Sequence, residues 1–144
     1  MMLRLIDIDP GNWRPGLKVS EDQKTYVSDS YEMLARAYAY REYRSRAFVI
    51  QDGDKPVGMG LYHDCPELDC YDLSQLFIDE RYQGRGYGRD ATRLMLEAMK
   101  KDGRYHKVIL CYIEGNDAAR KLYEQFGFVE TDRDEDEIIM ELTL

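Results

Sequence analysis

The chain has 144 residues, and one domain over residues 1–144 is expected, because folding at this length buries roughly two thirds of the surface of the unfolded chain. Its 28 acidic and 20 basic residues give a formal charge of −8, which argues against general affinity for nucleic acid and favours a cationic substrate. Three cysteines without C-x-x-C spacing and only two histidines predict free thiols and no metal centre.

No targeting signal or membrane span is visible in the sequence. The first residues lack the basic start, apolar core and cleavage site of a signal peptide, and no apolar run approaches about 18 residues. We therefore expect a cytoplasmic protein with neither a membrane nor a nucleic acid as partner.

The chain begins with a predicted strand followed by helices. Apolar residues favour a strand over residues 3–8, which Asp9-Pro10-Gly11 ends. Ser20-Glu21-Asp22-Gln23 has the spacing of a helix capping box. Residues 31–43 contain no glycine or proline and consist largely of alanine, leucine, methionine and tyrosine, which predicts a helix.

Three strands are predicted next. Residues 48–51 and 57–62 flank Asp52-Gly53-Asp54, a turn signal that indicates a β-hairpin. A further strand is predicted from about residue 69 to residue 78.

The last part of the chain alternates helices and strands. A helix that ends near Asp102-Gly103 has a stripe expected to be buried, which consists of Ala91, Leu94, Met95, Ala98 and Met99. A strand over residues 108–113 precedes a short helix that Asn116 caps and Gly127 ends. Residues 128–129 and 138–142 predict two last strands separated by a solvated acidic turn. This order indicates an α/β fold with a mixed sheet covered by helices.

The loop between the strand at residues 69–78 and the next helix reads Gln83-Gly84-Arg85-Gly86-Tyr87-Gly88. Glycines without Cβ let backbone N–H groups approach an anion, and the helix dipole adds positive potential. This placement predicts a pyrophosphate site. A P-loop is excluded because no Gly-Lys-Ser/Thr follows, and too little chain follows for a dinucleotide-binding fold.

Two blocks of sequence resemble the GNAT superfamily of acyl-CoA-dependent N-acetyltransferases. Gln83-x-x-Gly86-x-Gly88 matches the family pattern Q/R-x-x-G-x-G/A. About thirty residues later, Asn116-x-x-Ala119-x-x-x-Tyr123-x-x-x-Gly127-Phe128 matches its second block. The resemblance implies a central, mostly antiparallel sheet of about six or seven strands, with helices on both faces.

The resemblance extends to bacterial diamine, spermine and spermidine acetyltransferases. It is carried by Asn12-Trp13-Arg14, by residues 17–40, by the run from Ile78 to Gly88, and by Glu137-Ile138-Ile139. It implies acetyl transfer from acetyl-CoA to a primary amine of a cationic small molecule, without a metal, and homodimerisation is a further family expectation. A protein or peptide amine, an aminoglycoside, and a non-catalytic acyl-CoA-binding module are the alternatives.

By resemblance, a set of backbone and side-chain groups binds the cofactor: Leu76, Phe77, Ile78, Gln83, Gly84, Arg85, Gly86, Tyr87, Gly88, Arg89, Asn116 and Ala119. The strand residues of this set would pair with the pantetheine arm as an added strand would. Arg85 and Arg89 are equally compatible with a solvated surface role. Asn116 is also a helix cap, and the two roles can coexist.

Tyr123 is the predicted general acid toward the CoA sulfur, because a phenol can donate a proton without being ionised at neutral pH. By spacing alone it belongs to a packed helical stripe, and only the resemblance assigns it catalysis. Asp72 is the predicted base, with Asp69, Glu67 or a water chain as alternatives. By resemblance, Ser74 and Glu137 contact the acceptor amine.

Overall fold

The computed structural model describes residues 2–144, and its strands form one seven-stranded sheet in the order β1-β2-β3-β4-β5-β7-β6. The strands are β1 (Leu3–Asp7), β2 (Arg46–Asp52), β3 (Lys55–Cys65), β4 (Cys70–Ile78), β5 (Lys107–Ile113), β6 (Val129–Asp134) and β7 (Glu137–Thr143). The helices are α1 (Ser30–Ala39), α2 (Tyr87–Asp102) and α3 (Asp117–Glu124). All neighbouring strands are antiparallel except β4 and β5, which confirms the predicted mixed, mostly antiparallel sheet.

The helices cover both faces of the sheet, as predicted. On one face, Met33 of α1 packs with Met59, Leu61 and other side chains of β3 and β4. On the other, α2 buries Met95 and Met99 against the opposite side chains of the central strands. Two bulges, one between β2 and β3 and one between β3 and β4, change which face successive side chains take. The apolar core is therefore divided between the two faces of the sheet.

Gly58 lets β3 and β4 approach each other closely. A methyl group at Gly58 would overlap the backbone carbonyl oxygen of Phe77, whereas one at Gly60 would meet the sulfur of Met95 at 2.9 Å. We expect Gly58→Ala to lower the free energy of unfolding by about 3 kcal/mol, because a backbone obstacle must move. Gly60→Ala, the matched control, should cost about 1 kcal/mol, because a methionine side chain adapts. Urea denaturation of both variants measures the difference, and equal losses would contradict it.

The capping box predicted at residues 20–23 does not begin a helix. Residues 20–27 form successive turns instead. The amide N–H groups of Gln23 and Lys24 both donate to the Ser20 carbonyl, and those of Tyr26 and Val27 both donate to the Gln23 carbonyl, so two successive turns form. They do not continue as a helix: the Gln23 side chain bonds to Asn116, and Asp29 caps α1 separately. The predicted helix over residues 31–43 also ends early, at Ala39, and a 3-10 turn follows.

The acidic segment near the C-terminus corrects a second prediction. Its residues form β6, a strand at the edge of the sheet, and only two residues join it to β7. All six residues of β6 are exposed, so the expected solvation is present, and the expected acidic turn is confined to Glu135 and Asp136. The partner strand β7 supplies the buried residues Ile138 and Met140.

The two parallel strands stay together only at one end. Tyr71 pairs with Val108 and Asp72 with Ile109, and no further pairs join β4 to β5 in the described chain. The register of β4 against β3 shifts beside Ser74, which is left without a partner as the extra residue of a bulge. From Leu73 to Ile78, β4 therefore has a free edge that faces the space beside β5.

A network of charged and hydroxyl side chains fastens the far end of the sheet to α2. Arg44 donates to both oxygens of the buried Asp64 at 2.7 and 2.9 Å, and to both oxygens of Asp102 at 2.9 Å. Tyr71 donates to Asp102 at 2.6 Å, and Arg104 reaches Asp64 at 3.3 Å. Asp102 closes α2, so this network fixes the end of that helix against β3 and β4.

Within residues 2–144, no helix combines the length and apolar character that crossing a membrane requires.

Candidate active site

The glycine loop, the end of β4 and α3 enclose a cavity of about 310 Å³. Its lining includes most of the residues predicted to bind the cofactor, together with others from α3 and the loops: Gln23, Leu76, Phe77, Ile78, Tyr82, Gln83, Gly84, Gly86, Tyr87, Gly88, Ala118, Ala119, Leu122 and Tyr123. The structure thus brings the two sequence blocks, separated by β5 in the chain, to opposite walls of one cleft. We call it the cofactor cleft.

The glycine loop enters α2 through residues in the left-handed region. Gly84 has φ of 77° and Gly86, the N-terminal cap of α2, has φ of 81°. No side chain caps this helix end, so its first N–H groups remain available to an anion. Residues 83–86 of the loop are exposed, whereas Tyr87 is buried and its hydroxyl donates to Asp52 at 2.6 Å. This geometry suits a phosphate group, and Tyr87 serves it by anchoring the loop to β2.

Arg85 and Arg89 lie outside the lining of the cofactor cleft. The Arg85 guanidinium lies 5.7 Å from the centre of the Tyr82 ring, and Arg89 lies 4.0 Å from the carboxylate of Asp90. Both side chains are exposed, so each is free to turn toward a bound anion. Their cofactor contact stays a prediction.

We expect Gly86→Ala to raise KM for acetyl-CoA about tenfold while leaving kcat nearly unchanged. A side chain in the left-handed region costs about 1 to 2 kcal/mol, and the loop would shift to relieve that strain. Gly103→Ala is the matched control, because Gly103 has φ of 73° at the opposite end of the same helix. Steady-state kinetics should show a changed KM for the first variant only. An equal KM in both variants would contradict the assignment of the loop.

Asn116 is held by protein groups. Its side-chain oxygen accepts from the Ala119 N–H at 3.3 Å, which caps α3, and its amide donates to Gln23 at 3.1 Å. The Gln23 amide in turn donates to the Asn116 oxygen at 3.3 Å. Asn116 therefore fastens residues 20–27 over the cofactor cleft, and the direct cofactor contact predicted for it stays a prediction.

A second cavity, of about 280 Å³, lies on the other side of Tyr123, between the separated ends of β4 and β5. It is lined by residues of six parts of the chain: Tyr26, Val27, Ser28, Arg36, Asp72, Leu73, Ser74, Gln75, Leu76, Cys111, Tyr112, Ile113, Ala119, Tyr123 and Glu137. Leu76, Ala119 and Tyr123 belong to both cavities. We call this second space the acceptor cleft, because it meets the cofactor cleft at these three residues.

Tyr123 is 8% exposed and packs edge-on against Phe128, with ring centres 5.7 Å apart. Its hydroxyl has no hydrogen-bond partner within residues 2–144, and the side chain lines both clefts. Burial raises the pKa of Tyr123 to about 12, and the nearby Cys111 adds to the shift. The phenol is therefore neutral at physiological pH and has a proton to donate, as a general acid requires.

Asp72 lines the acceptor cleft and its side chain is 25% exposed. Burial raises its pKa, while the neighbouring His63 and Arg36 oppose the rise. A carboxylate with a raised pKa is a better proton acceptor than an ordinary aspartate. Of the alternative bases, Glu67 and Asp69 lie in the turn between β3 and β4 and do not line either cleft.

The acceptor cleft contains both signs of charge. Glu137, the first residue of β7, is exposed at its rim, and Ser74 lies on the bulge of β4. Arg36 of α1 donates to the Ser74 hydroxyl at 2.6 Å. Sequence reasoning missed Arg36, because it is one of many basic residues and no motif links α1 to the bulge. The mixed charges suit two kinds of ligand. One is a simple cation, and the other is an amine that also carries polar or anionic groups.

Cys111 also lines this cleft and was not predicted to do so. Partial desolvation in the cleft raises its pKa to about 11 although the residue is exposed, so the thiol is protonated at neutral pH and is a poor nucleophile. Direct attack by the acceptor amine is therefore the chemistry that this arrangement supports. No cluster of histidine, cysteine or acidic residues within residues 2–144 has the geometry of a metal site.

Residues 13–128 match the profile of the Acetyltransferase (GNAT) family. The chain belongs to this family. It is 30% identical over 118 residues to the spermine/spermidine N(1)-acetyltransferase of Bacillus subtilis, which covers 78% of this chain and 76% of the relative. The match confirms the predicted family and identifies the chain as an N-acetyltransferase of the acyltransferase class.

Solved structures of GNAT enzymes share the fold of the whole chain. The spermidine N-acetyltransferase of Vibrio cholerae, in complex with CoA and spermine, superimposes with a TM-score of 0.77 at 22% identity, covering 98% of this chain and 95% of that one. The ribosomal-protein-S18-alanine N-acetyltransferase of Escherichia coli also reaches 0.77, at 20% identity, covering 99% and 94%. Because enzymes with such different acceptors match equally well, the GNAT fold does not select the acceptor.

Proposed function

We propose that this GNAT enzyme transfers the acetyl group of acetyl-CoA to a primary amine of a small di- or polyamine. The observation that carries the proposal is the position of Tyr123 in the wall between two clefts, with Asp72 and Glu137 on the acceptor side. Carboxylates there attract an ammonium group, and the net charge of −8 favours the approach of a cation. The relative in Bacillus subtilis, a spermine/spermidine N(1)-acetyltransferase, supports this class of acceptor.

We place acetyl-CoA in the cofactor cleft. The uncapped N-terminus of α2 and the glycine loop offer N–H groups to a pyrophosphate. The free edge of β4 from Leu73 to Ile78 offers backbone groups to the two amides of the pantetheine arm. The thioester would then lie beside Tyr123, where the two clefts meet, and an amine in the acceptor cleft could reach it there.

The proposed reaction is direct attack. The acceptor ammonium first gives one proton to the base, and the neutral nitrogen then attacks the thioester carbonyl carbon to form a tetrahedral intermediate. When this intermediate collapses, the C–S bond breaks, the nitrogen loses its second proton to solvent, and the sulfur takes a proton from Tyr123. The phenol regains its proton from solvent. The products are the N-acetyl amine, the CoA thiol and one released proton.

Arg36 favours a second candidate acceptor, an amine that also carries a carboxylate, such as an amino acid or a peptide end. The guanidinium lies in the acceptor cleft. It donates to Ser74 through Nε–H, so its other N–H groups can bind a carboxylate. A linear polyamine has no group that Arg36 would attract. The two candidates therefore differ in which charged residue of the cleft governs binding.

An acceptor panel with two variants separates the candidates. We expect CoA-thiol release from acetyl-CoA to be fastest with spermidine or spermine among putrescine, spermidine, spermine, a lysine peptide, an aminoglycoside and free amino acids. Glu137→Gln should raise KM for the polyamine about two- to fivefold, because one exposed charge contact is lost, and Arg36→Gln should not raise it.

The opposite pattern, in which Arg36→Gln impairs turnover of a carboxylated amine, would establish the second candidate. Turnover of none of the amines, together with measurable acetyl-CoA binding, would overturn the catalytic proposal and leave an acyl-CoA-binding module.

One domain over residues 1–144, homodimer formation and a cytoplasmic location stay predictions, and analytical ultracentrifugation tests the dimer.

A further inference from the structure

His63 carries a buried nitrogen that the fold does not satisfy. Its side chain lies on β3, the residue is 3% exposed, and the Nδ1 atom lies 2.9 Å from the Asp64 backbone carbonyl oxygen. Because a carbonyl oxygen only accepts, Nδ1 carries the hydrogen of the neutral ring. Nε2 then holds a lone pair, and it is the single buried side-chain nitrogen or oxygen without a hydrogen-bond partner in residues 2–144.

The unsatisfied nitrogen faces Asp72. The two residues are direct partners in the β3–β4 ladder, and Nε2 lies 3.9 Å from Oδ2 of Asp72. The ring is held in place by stacking on Tyr40, with centres 4.2 Å apart and planes 18° from parallel. A buried lone pair aimed at a carboxylate is repelled by it unless a proton lies between the two. At 3.9 Å the pair is just beyond hydrogen-bond length and close enough to share one proton after a small rotation.

We infer that His63 and Asp72 hold one proton between them and together act as the base of the acetyl transfer, with His63 as the positioning residue behind Asp72. The inference rests on the proposed function for its role in catalysis. Asp72, which lines the acceptor cleft, takes the proton from the acceptor ammonium, and its new O–H donates to Nε2 of His63. The proton leaves to solvent through the exposed part of Asp72 before the next turnover.

Several charged and titratable groups surround this pair and set its behaviour. They are Arg36 and Tyr40 beside α1, Asp64 next to His63 on β3, Cys111 on β5 and Glu137 on β7. Arg36 stabilises the ionised form of Asp72. His63 presents an acceptor nitrogen 3.9 Å from the Asp72 carboxylate and so can accept the hydrogen of a protonated Asp72.

The pair predicts a titration that belongs to both residues. Sharing stabilises the form with one proton, so that form persists to higher pH than either residue alone would allow. The chain has only two histidines, and the exposed His106 lines neither cleft, so it serves as an internal control. Nitrogen-15 NMR of the imidazole rings should show His63 as the Nδ1–H tautomer, and Asp72→Asn should lower its titration midpoint by about one pH unit.

His106 should keep its midpoint in the Asp72→Asn variant. An unchanged His63 midpoint in that variant would overturn the inference, whether or not the protein acetylates a polyamine. Asp72 is partly exposed, so this variant should fold even if a change at His63 prevents folding.

Kinetics supply the second test. The acid limb of kcat/KM against pH should move about one unit lower in His63→Gln, because the proton is no longer shared, and the maximal rate should fall about tenfold. His106→Gln should leave the whole profile unchanged. A lower rate in His63→Gln with an unmoved acid limb would show that His63 only packs, and would reject the proton-sharing role.

Discussion

Replacing Tyr123 with phenylalanine is expected to lower kcat about 100-fold or more, with little change in KM for either substrate. The change removes only the hydroxyl, which makes no hydrogen bond within residues 2–144, and keeps the ring that packs against Phe128. Loss of a general acid costs about 10²- to 10⁴-fold in rate. Stopped-flow or steady-state release of CoA thiol measures the effect, and thermal denaturation should show an unchanged Tm.

Tyr105→Phe is the matched control for this variant. Tyr105 is a partly buried tyrosine that packs edge-on against Tyr71 and lines neither cleft. It should lose no activity. A Tyr123→Phe enzyme that keeps the rate of the unaltered protein would show that thiolate departs without this acid and would reduce Tyr123 to a packing residue.

Replacing Arg44 with leucine is expected to lower the free energy of unfolding by about 2 to 3 kcal/mol. The change leaves Asp64, which is 5% exposed, with only the 3.3 Å contact to Arg104. Arg44 has φ of 52°, and leucine bears the same backbone strain, so the comparison isolates the side chain. Urea denaturation measures the loss, and Arg93→Leu, which breaks an exposed pair with Glu97, should change stability by less than about 0.5 kcal/mol.

The same network makes stability depend on pH. The Arg44 guanidinium, followed by the Tyr71 hydroxyl, holds the pKa of Asp102 well below its usual range. A group whose pKa is depressed by folding stabilises the protein above its unfolded pKa and loses that contribution as pH falls through the folded value. Tm should therefore fall below about pH 4, and it should fall less steeply in Arg44→Leu. Parallel Tm curves for the two proteins would contradict this origin.

The lining of the cofactor cleft was largely predictable from sequence, because it depends on short contiguous patterns. Gly84 and Gly86 take left-handed conformations that favour glycine. Tyr123 lies one turn after Ala119 on the same face of α3. These relations are local, so spacing along the chain encodes them. Gln83 and Tyr82 line the same cleft for the same reason.

The acceptor side was not predictable to the same degree, because it depends on strand register. Asp72 meets His63 only because β3 and β4 pair in one register, and the bulge at Ser74 turns that residue toward Arg36. A shift of one residue would exchange the two faces of β4. No pattern in the sequence marks that bulge, since Ser74 is neither glycine nor part of a turn signal.

Two errors arose where local propensity competed with tertiary contacts. The capping-box spacing at Ser20 is real, but Gln23 bonds to Asn116, almost a hundred residues away. The acidic run from Glu130 to Asp134 reads as a turn by charge, yet pairing with β7 makes it a strand. Contacts with residues distant in the chain determine the structure of both segments, and a single sequence does not show such contacts.

The acidic strand β6 also limits how the sheet can associate. An exposed edge strand is a template for pairing with another copy, and aggregation through such edges is a general hazard of β-sheets. Two β6 strands brought together would place rows of carboxylates about 5 Å apart, and their repulsion opposes that contact. The sheet is thereby closed to growth at this end near neutral pH. The protection rests on ionised carboxylates, and acid conditions that neutralise them would remove it.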